Sequence, residues 1–273
     1  MRCTACYLVR YCGVQCQKNH RPMHKRVCKK RAAELRDELL FKQPESTHLG
    51  DCPICMIPLP LGPNIMTNCC SKVICKGCAY ATEDAVQEMD SLSRILCPFC
   101  REVVPPTAEG HENQRMKRVM MNDPVATRYV GNRCYHEGDH DNAFKYFTKA
   151  SELGDADAHY QLSTMYRDGF VERNRKKELY HLEEATIRGH PGARCNLAVI
   201  DSENGRVERA VKHYMIAASL GHDLSLKNLR ICYEDGDVSK EDFAMALRAH
   251  HAAVDAMKSP QRDATAEMEI QIA

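Results

Sequence analysis

No stretch of this 273-residue sequence is apolar for long enough to cross a bilayer, and no charged n-region followed by an apolar h-region opens it. The expectation is a soluble protein of the cytoplasm or nucleus with no membrane partner. Neither sign of charge is in excess, 38 Lys+Arg facing 37 Asp+Glu for a net +1, so no global field draws the chain to nucleic acid. Only the first 50 residues lean basic, with 11 Lys/Arg against 4 Asp/Glu. A solvated basic face beside metal-bound thiolates explains that lean better than a phosphate backbone does, and nucleic-acid binding ranks third among the functions considered. A Walker loop, a dinucleotide fingerprint and a Ser/His/Asp context are also lacking, which removes support for a small-molecule enzyme.

Cysteine is what the chain has in abundance. Of 16, thirteen fall before residue 101, mostly paired as C-x2-C. In a reducing compartment such clustering reads as metal ligation rather than as a disulfide framework. The length calls for more than one domain, and prolines punctuate the chain: Pro44 ends a short helical stretch marked by Ala32, Leu35 and Leu39, and Pro105-Pro106 closes the second cysteine cluster.

That second cluster, residues 52–100, carries the sharpest signal: Cys52-x2-Cys55, adjacent Cys69 and Cys70, Cys75-x2-Cys78, and Cys97-Pro98-Phe99-Cys100. Eight thiols suit two zinc ions, each wanting four tetrahedral ligands at about 2.3 Å. Incomplete occupation, with one of Cys69 and Cys70 a bystander, and a redox dithiol are the alternatives. The pattern resembles a RING finger. The resemblance implies interleaved sites, Cys52, Cys55, Cys75 and Cys78 for one zinc and Cys69, Cys70, Cys97 and Cys100 for the other. Lys72 stands where many relatives carry a histidine ligand. It also implies docking of a ubiquitin-conjugating enzyme through Ile54, Pro98 and Arg101, with catalysis by positioning alone. The aromatic residue common after the sixth ligand is replaced by Ala79, with Tyr80 one step on.

The first cluster reads Cys3-x2-Cys6, Cys12-x3-Cys16 and His24-x3-Cys28, and resembles the later part of a MYND finger. The family pattern implies a complete zinc site from Cys3, Cys6, His24 and Cys28, and a second that retains only Cys12 and Cys16. His20, one turn from His24, is either a substitute ligand or a solvent-facing side chain, the second being the better reading.

After Asp123-Pro124, a plausible N-cap and first helical residue, the composition turns alanine-rich and a loose repeat begins. Tyr135, Gly138, Ala150 and Gly154 return as Tyr166, Gly169, Ala185 and Gly189, 31 or 35 residues on. A third unit has Leu197, Gly205, Ala217 and Gly221, and a fourth has Leu229, Tyr233 and Gly236. Periods of this length mean stacked helix pairs, since one pair cannot bury its own apolar face. The units resemble Sel-1-like repeats. Ala150, Ala185 and Ala217 are expected at helix crossings, and Cys134, Cys195 and Cys232 are expected to be apolar fillers rather than ligands.

The expected fold is mainly α: two small zinc-stabilised modules followed by an α-solenoid of helix pairs. The expected boundaries are a finger at 1–28, a helical linker at 29–50, a second finger at 51–104, a linker at 105–122, repeats at 123–258 and a tail at 259–273. Two functions are consistent with this arrangement. One is a RING-type ubiquitin ligase that recruits protein or peptide substrates through its repeats. The other is an adaptor whose fingers and repeats only bind partners.

Overall fold

A computed structural model describes residues 2–87 and 95–272, which divide into two units, Met1–Gln43 and Pro44–Ala273. In the first unit the segment before residue 13 is too short and too polar to form a core of its own. It folds back through an isolated bridge between Arg2 and Arg10 and buries Cys3, Cys6 and Tyr11. Helix α1, Val14–Leu40, then runs unbroken through Pro22, which deletes one i→i−4 hydrogen bond. The stretch expected as a separate helix after Cys28 is therefore the second half of α1. Its inward residue is Leu40, 2% exposed, and not Leu39, which is 51% exposed.

The second unit opens with a small two-stranded sheet, β1 (Ile65–Met66) antiparallel to β2 (Val73–Ile74), with Ile65 opposite Ile74. Helix α2, Lys76–Gln87, follows at once. Cys52, Leu59, Ile74, Cys75, Cys78 and Ala79 make up a core in which half the residues are cysteines. Such a module has too few carbon side chains to be stable without metal.

Helices fill the remainder: α3 (Ala108–Met120), α4 (Pro124–His136), α5 (His140–Glu152), α6 (Ala156–Asp168), α7 (Arg175–Ile187), α8 (Pro191–Glu203), α9 (Val207–Ser219), α10 (Asp223–Glu234), α11 (Lys240–Ala256) and α12 (Pro260–Ile272). From α4 to α11 they pack as consecutive pairs, and each pair also packs against the next. Local chemistry starts them. Asp123, Asp139, Asp155 and Asn174 each accept a backbone N–H in the first turn of the helix that follows, a cap worth about 1 kcal/mol. Gly189, at φ 85°, takes the left-handed conformation that ends α7 and turns the chain into α8.

Small residues set the spacing between helices. Ala150, Ala185 and Ala217 are completely buried, and a Cβ placed on Gly131 would lie 2.8 Å from the Phe147 ring. Val130, Cys134, Phe147, Leu162 and Met165 fill one core, and Cys195, Tyr214, Leu229 and Ala246 fill a second. Cys134 and Cys195 thus serve as apolar fillers, and Cys232 packs at the edge of the second core. The fourth unit, loose in sequence, is a full pair, α10 with α11.

Two segments differ from expectation. The linker at 105–122 contains α3, capped by Thr107 and packed on α4. The tail at 259–273 contains α12, which packs against α2. No helix among the described residues is long and apolar enough to cross a membrane.

Candidate metal centres

One local fold is repeated four times in the two cysteine modules. In Cys3–Tyr7 the Tyr7 amide donates to the Cys3 carbonyl at 3.0 Å, and the Cys3 amide donates to Val9 O at 2.9 Å. In Cys52–Met56 the matching bonds run from Met56 to Cys52 O at 2.8 Å and from Cys52 to Ile57 O at 2.9 Å. In Cys97–Arg101 they run from Arg101 to Cys97 O at 3.0 Å and from Cys97 to Glu102 O at 2.9 Å. The fourth copy is Thr67–Ser71, with Ser71 donating to Thr67 O at 2.8 Å and Thr67 to Lys72 O at 2.9 Å. Each turn ends on a non-glycine residue in the left-handed region, Tyr7, Met56, Ser71 or Arg101, at φ between 56° and 60°. Such residues are uncommon there. The turn aims both side chains of an x2 pair at one point, and the backbone strain accompanies that convergence.

Three sets of ligand atoms converge, each with all members within 4.8 Å of one another: Cys3, Cys6, His24 and Cys28; Cys52, Cys55, Cys75 and Cys78; and Cys69, Cys70, Cys97 and Cys100. Within them Cys3 and Cys28 sulfurs are 3.6 Å apart, Cys55 and Cys75 3.9 Å, Cys70 and Cys97 3.8 Å, and Cys69 and Cys100 3.4 Å. Tetrahedral ligands at about 2.3 Å from zinc are separated by about 3.8 Å. The donor sets and their spacing therefore fit zinc. Lys72 joins this region through its backbone, its amide donating to Thr67 Oγ1 at 3.1 Å.

The electrostatics point the same way. Amides of Cys6 and Ala5 and the His24 side chain pull the Cys3 thiol down to about 6. At Cys52 burial opposes ionisation, but the amides of Cys55, Cys75 and Ile54 outweigh it and bring the thiol down to about 7. The companions move the other way: burial and the neighbouring thiols raise Cys28 to about 11, and raise Cys69 and Cys78 further. Four sulfurs in such a volume cannot all be thiolates unless a cation sits among them, and a divalent ion reverses the order.

Cys12 and Cys16 lie 3.0 Å apart and exposed, and no third ligand atom joins them among the described residues. His20 does not complete this pair. Its Nδ1 lies 3.2 Å from the Tyr11 hydroxyl, and its ring stacks on His24 at 5.4 Å.

A further group, His48, Asp157 and His190, resembles a three-ligand site by distance alone. His48 Nε2 is 2.8 Å and His190 Nε2 3.3 Å from Asp157 Oδ1. However, His190 Nδ1 accepts the Ala193 amide at 3.0 Å to cap α8, which leaves the ring proton on Nε2 and no lone pair there for a metal. The two imidazoles are also stacked, 12° from parallel, with both Nε2 atoms turned to the one Asp157 oxygen. Asp157 is instead an acceptor for His48, His190 and, through Oδ2, Arg128 at 3.3 Å. Despite burial, these partners hold its carboxyl well below the usual range.

Ile54, Pro98 and Arg101 are all exposed, Ile54 at 39%. Ile54 lies inside the Cys52 turn, and Pro98 and Arg101 belong to the Cys97 turn. Ala79 is buried in the module core, whereas Tyr80 is 37% exposed. Two residues were not singled out from sequence. Thr67 was legible in principle, since it precedes Cys70 at the x2 spacing. Arg262, whose guanidinium reaches Cys55 Sγ at 3.4 Å, carries no sequence signal.

Residues 1–28 match the family model of the MYND finger, and residues 124–155, 156–190 and 204–222 match that of the Sel1 repeat. The chain is thus a zinc-binding protein that joins a MYND finger to Sel1 repeats, a combination of protein-interaction modules. No curated protein matches it. Among solved structures it resembles the crystal structure of c5321, a protective antigen of uropathogenic Escherichia coli strains displaying an SLR fold. The identity is 18%, the TM-score 0.42, and the match covers 60% of this chain and 37% of that one.

Proposed function

We propose that the chain is a RING-type ubiquitin-protein ligase whose second module docks a ubiquitin-conjugating enzyme and whose repeats recruit protein or peptide substrates. In this reading one zinc is held by Cys3, Cys6, His24 and Cys28, a second by Cys52, Cys55, Cys75 and Cys78, and a third by Cys69, Cys70, Cys97 and Cys100. Cys12 and Cys16 form a partial site. The observation that carries the reading is the joint exposure of Ile54, Pro98 and Arg101 on two thiolate turns of one module. An exposed apolar side chain, a proline and a cation on one small module suit a partner's loops. The zinc ions supply rigidity. Chemistry would come from holding the partner's ubiquitin thioester in a reactive geometry.

The test is ubiquitin transfer by the intact chain with a panel of conjugating enzymes. Ile54→Ala and Arg101→Ala remove side chains that are not proposed ligands, and truncation of a hot spot costs about 2 kcal/mol or more. Transfer should therefore fall by more than about tenfold with zinc content unchanged. Inactivity of the wild-type chain with every enzyme, or normal transfer by both variants, overturns the ligase reading. The adaptor reading would then stand. It is favoured by one specific observation, the burial of Ala79 where ligases commonly present an aromatic side chain.

A further inference from the structure

Helix α12, which packs against α2, also makes a polar contact aimed at a ligand. Arg262, in the first turn of α12, donates through Nη1 to Pro58 O at 2.7 Å and to Met257 O at 2.6 Å. Through Nη2 it donates to Ile57 O at 3.1 Å and to Cys55 Sγ at 3.4 Å. Three of these four acceptors belong to Cys55 and the two-residue stretch beyond Met56. The fourth ties the side chain to its own end of α11. A planar guanidinium can serve all four at once, which an ammonium cannot do.

Gly77 is an independent witness to the same contact. It lies on α2 between Cys75 and Cys78, and a Cβ there would meet the Arg262 backbone nitrogen at 2.9 Å and Gln261 C at 3.0 Å. Its φ is not in the left-handed region, so backbone conformation does not account for glycine at this position. Close approach of α12 does. The helix is thus seated on the segment between two ligands while its arginine reaches a third.

Charge and exposure say what the contact does. Four thiolates around a divalent ion leave a net charge of about −2. Of the four sulfur residues Cys52, Cys75 and Cys78 are buried, and only Cys55 is partly exposed. Arg262 therefore sits on the one thiolate of the set that a competing chelator or an electrophile can reach. We infer that α12 is a clasp on the Cys52–Cys55–Cys75–Cys78 zinc site, with Arg262 as an outer positioning residue that shields Cys55 and retards loss of the metal. The inference rests on zinc occupying that site, and it is independent of whether the module docks a conjugating enzyme.

The experiment follows zinc leaving the intact, loaded protein into an excess of a chelating dye, with alkylation by iodoacetamide and peptide mass spectrometry in parallel. In Arg262→Ala one zinc equivalent should leave about tenfold faster or more, the scale on which outer partners act on metal affinity, and Cys55 should be alkylated faster than in the wild-type protein. Arg262→Lys should fall between the two. Gly77→Ala retains the arginine but lifts the helix, and should reproduce the faster release. Wild-type release rates in both Arg262→Ala and Gly77→Ala overturn the clasp, as does an acceleration shared equally by all zinc equivalents, which would report general loosening. A wild-type stoichiometry below three with no metal at the Cys52 set removes the underlying metal assignment, and that outcome is read before any variant is made.

Discussion

Thr67 Oγ1 lies 3.2 Å from Cys70 Sγ, so a threonine stands where the other three turns place a cysteine. Cys69, one residue before Cys70, supplies the missing sulfur from a different point on the backbone. This relationship accounts for the adjacent cysteine pair, since one ligand comes from the turn and the other replaces its absent partner.

Cys69→Ser should accordingly lower the zinc content of the intact protein by one equivalent. Adding Thr67→Cys to that variant should restore it, because position 67 already has the backbone of a first ligand. Elemental analysis reads both results. A folded double variant that remains one equivalent short would show that the fourth turn is not equivalent to the others.

The wild-type chain should bind three zinc equivalents. Cys28→Ser should lower the count to two, whereas Cys12→Ser should leave it at three, because the exposed Cys12–Cys16 pair is a partial site. A count of four for the wild-type chain would mean that this pair finds further ligands.

Ala185 has no exposed surface, and its place in α7 leaves no room for a longer side chain. Ala185→Leu should destabilise the repeats by roughly 1–3 kcal/mol through overpacking. Denaturant unfolding measures the effect, and a variant as stable as wild type would show that the crossing has slack.

The repeats should also lose stability in mild acid. Burial pushes His159 and His181 down to about 4 and His213 to about 3, and it lowers His190 and His222 as well. The folded state therefore holds these rings neutral while the unfolded chain takes up protons below about 6.5. Their stabilising contribution is complete above that pH and is lost as pH falls toward 4. His190 and His222 add a structural reason, because each accepts a backbone N–H to cap α8 or α10, and a protonated ring cannot accept. Hydrogen exchange in α6–α10, followed from pH 7 to pH 4.5, should show protection falling. Constant protection over that range would rule out the assignment.

The cysteine chemistry was legible in sequence because an x2 spacing encodes a turn that is local, and interleaving followed from the resemblance to known fingers. The solenoid was legible through its small residues, since Ala150, Ala185 and Ala217 mark where helices touch whatever else changes. The helices α3 and α12 were not legible. Residues 108–120 are mostly polar, and the burial of Val119 in the core of the first repeats and of Gln114 where it donates to Val103 O is created by packing partners rather than announced by periodicity. The capping role of His190 was hidden because histidine is not among the preferred N-cap residues. The choice of Leu40 over Leu39 illustrates how a face shifts by one residue when a helix begins far earlier than its apolar pattern does.

The bond between Arg262 and Cys55 spans 207 residues of chain. During synthesis the sulfur emerges long before the guanidinium, and at roughly 5–20 residues per second the interval is on the order of ten seconds or more. Until then the first turns of the second module are without the clasp, while the helix pairs, rich in short-range contacts, assemble behind them. Closure by α12 comes only after the helix pairs of the repeats have been made. A ribosome that stops before residue 262 leaves a protein with all of its ligands and none of that protection, so early termination would be felt first as a metal that escapes too easily.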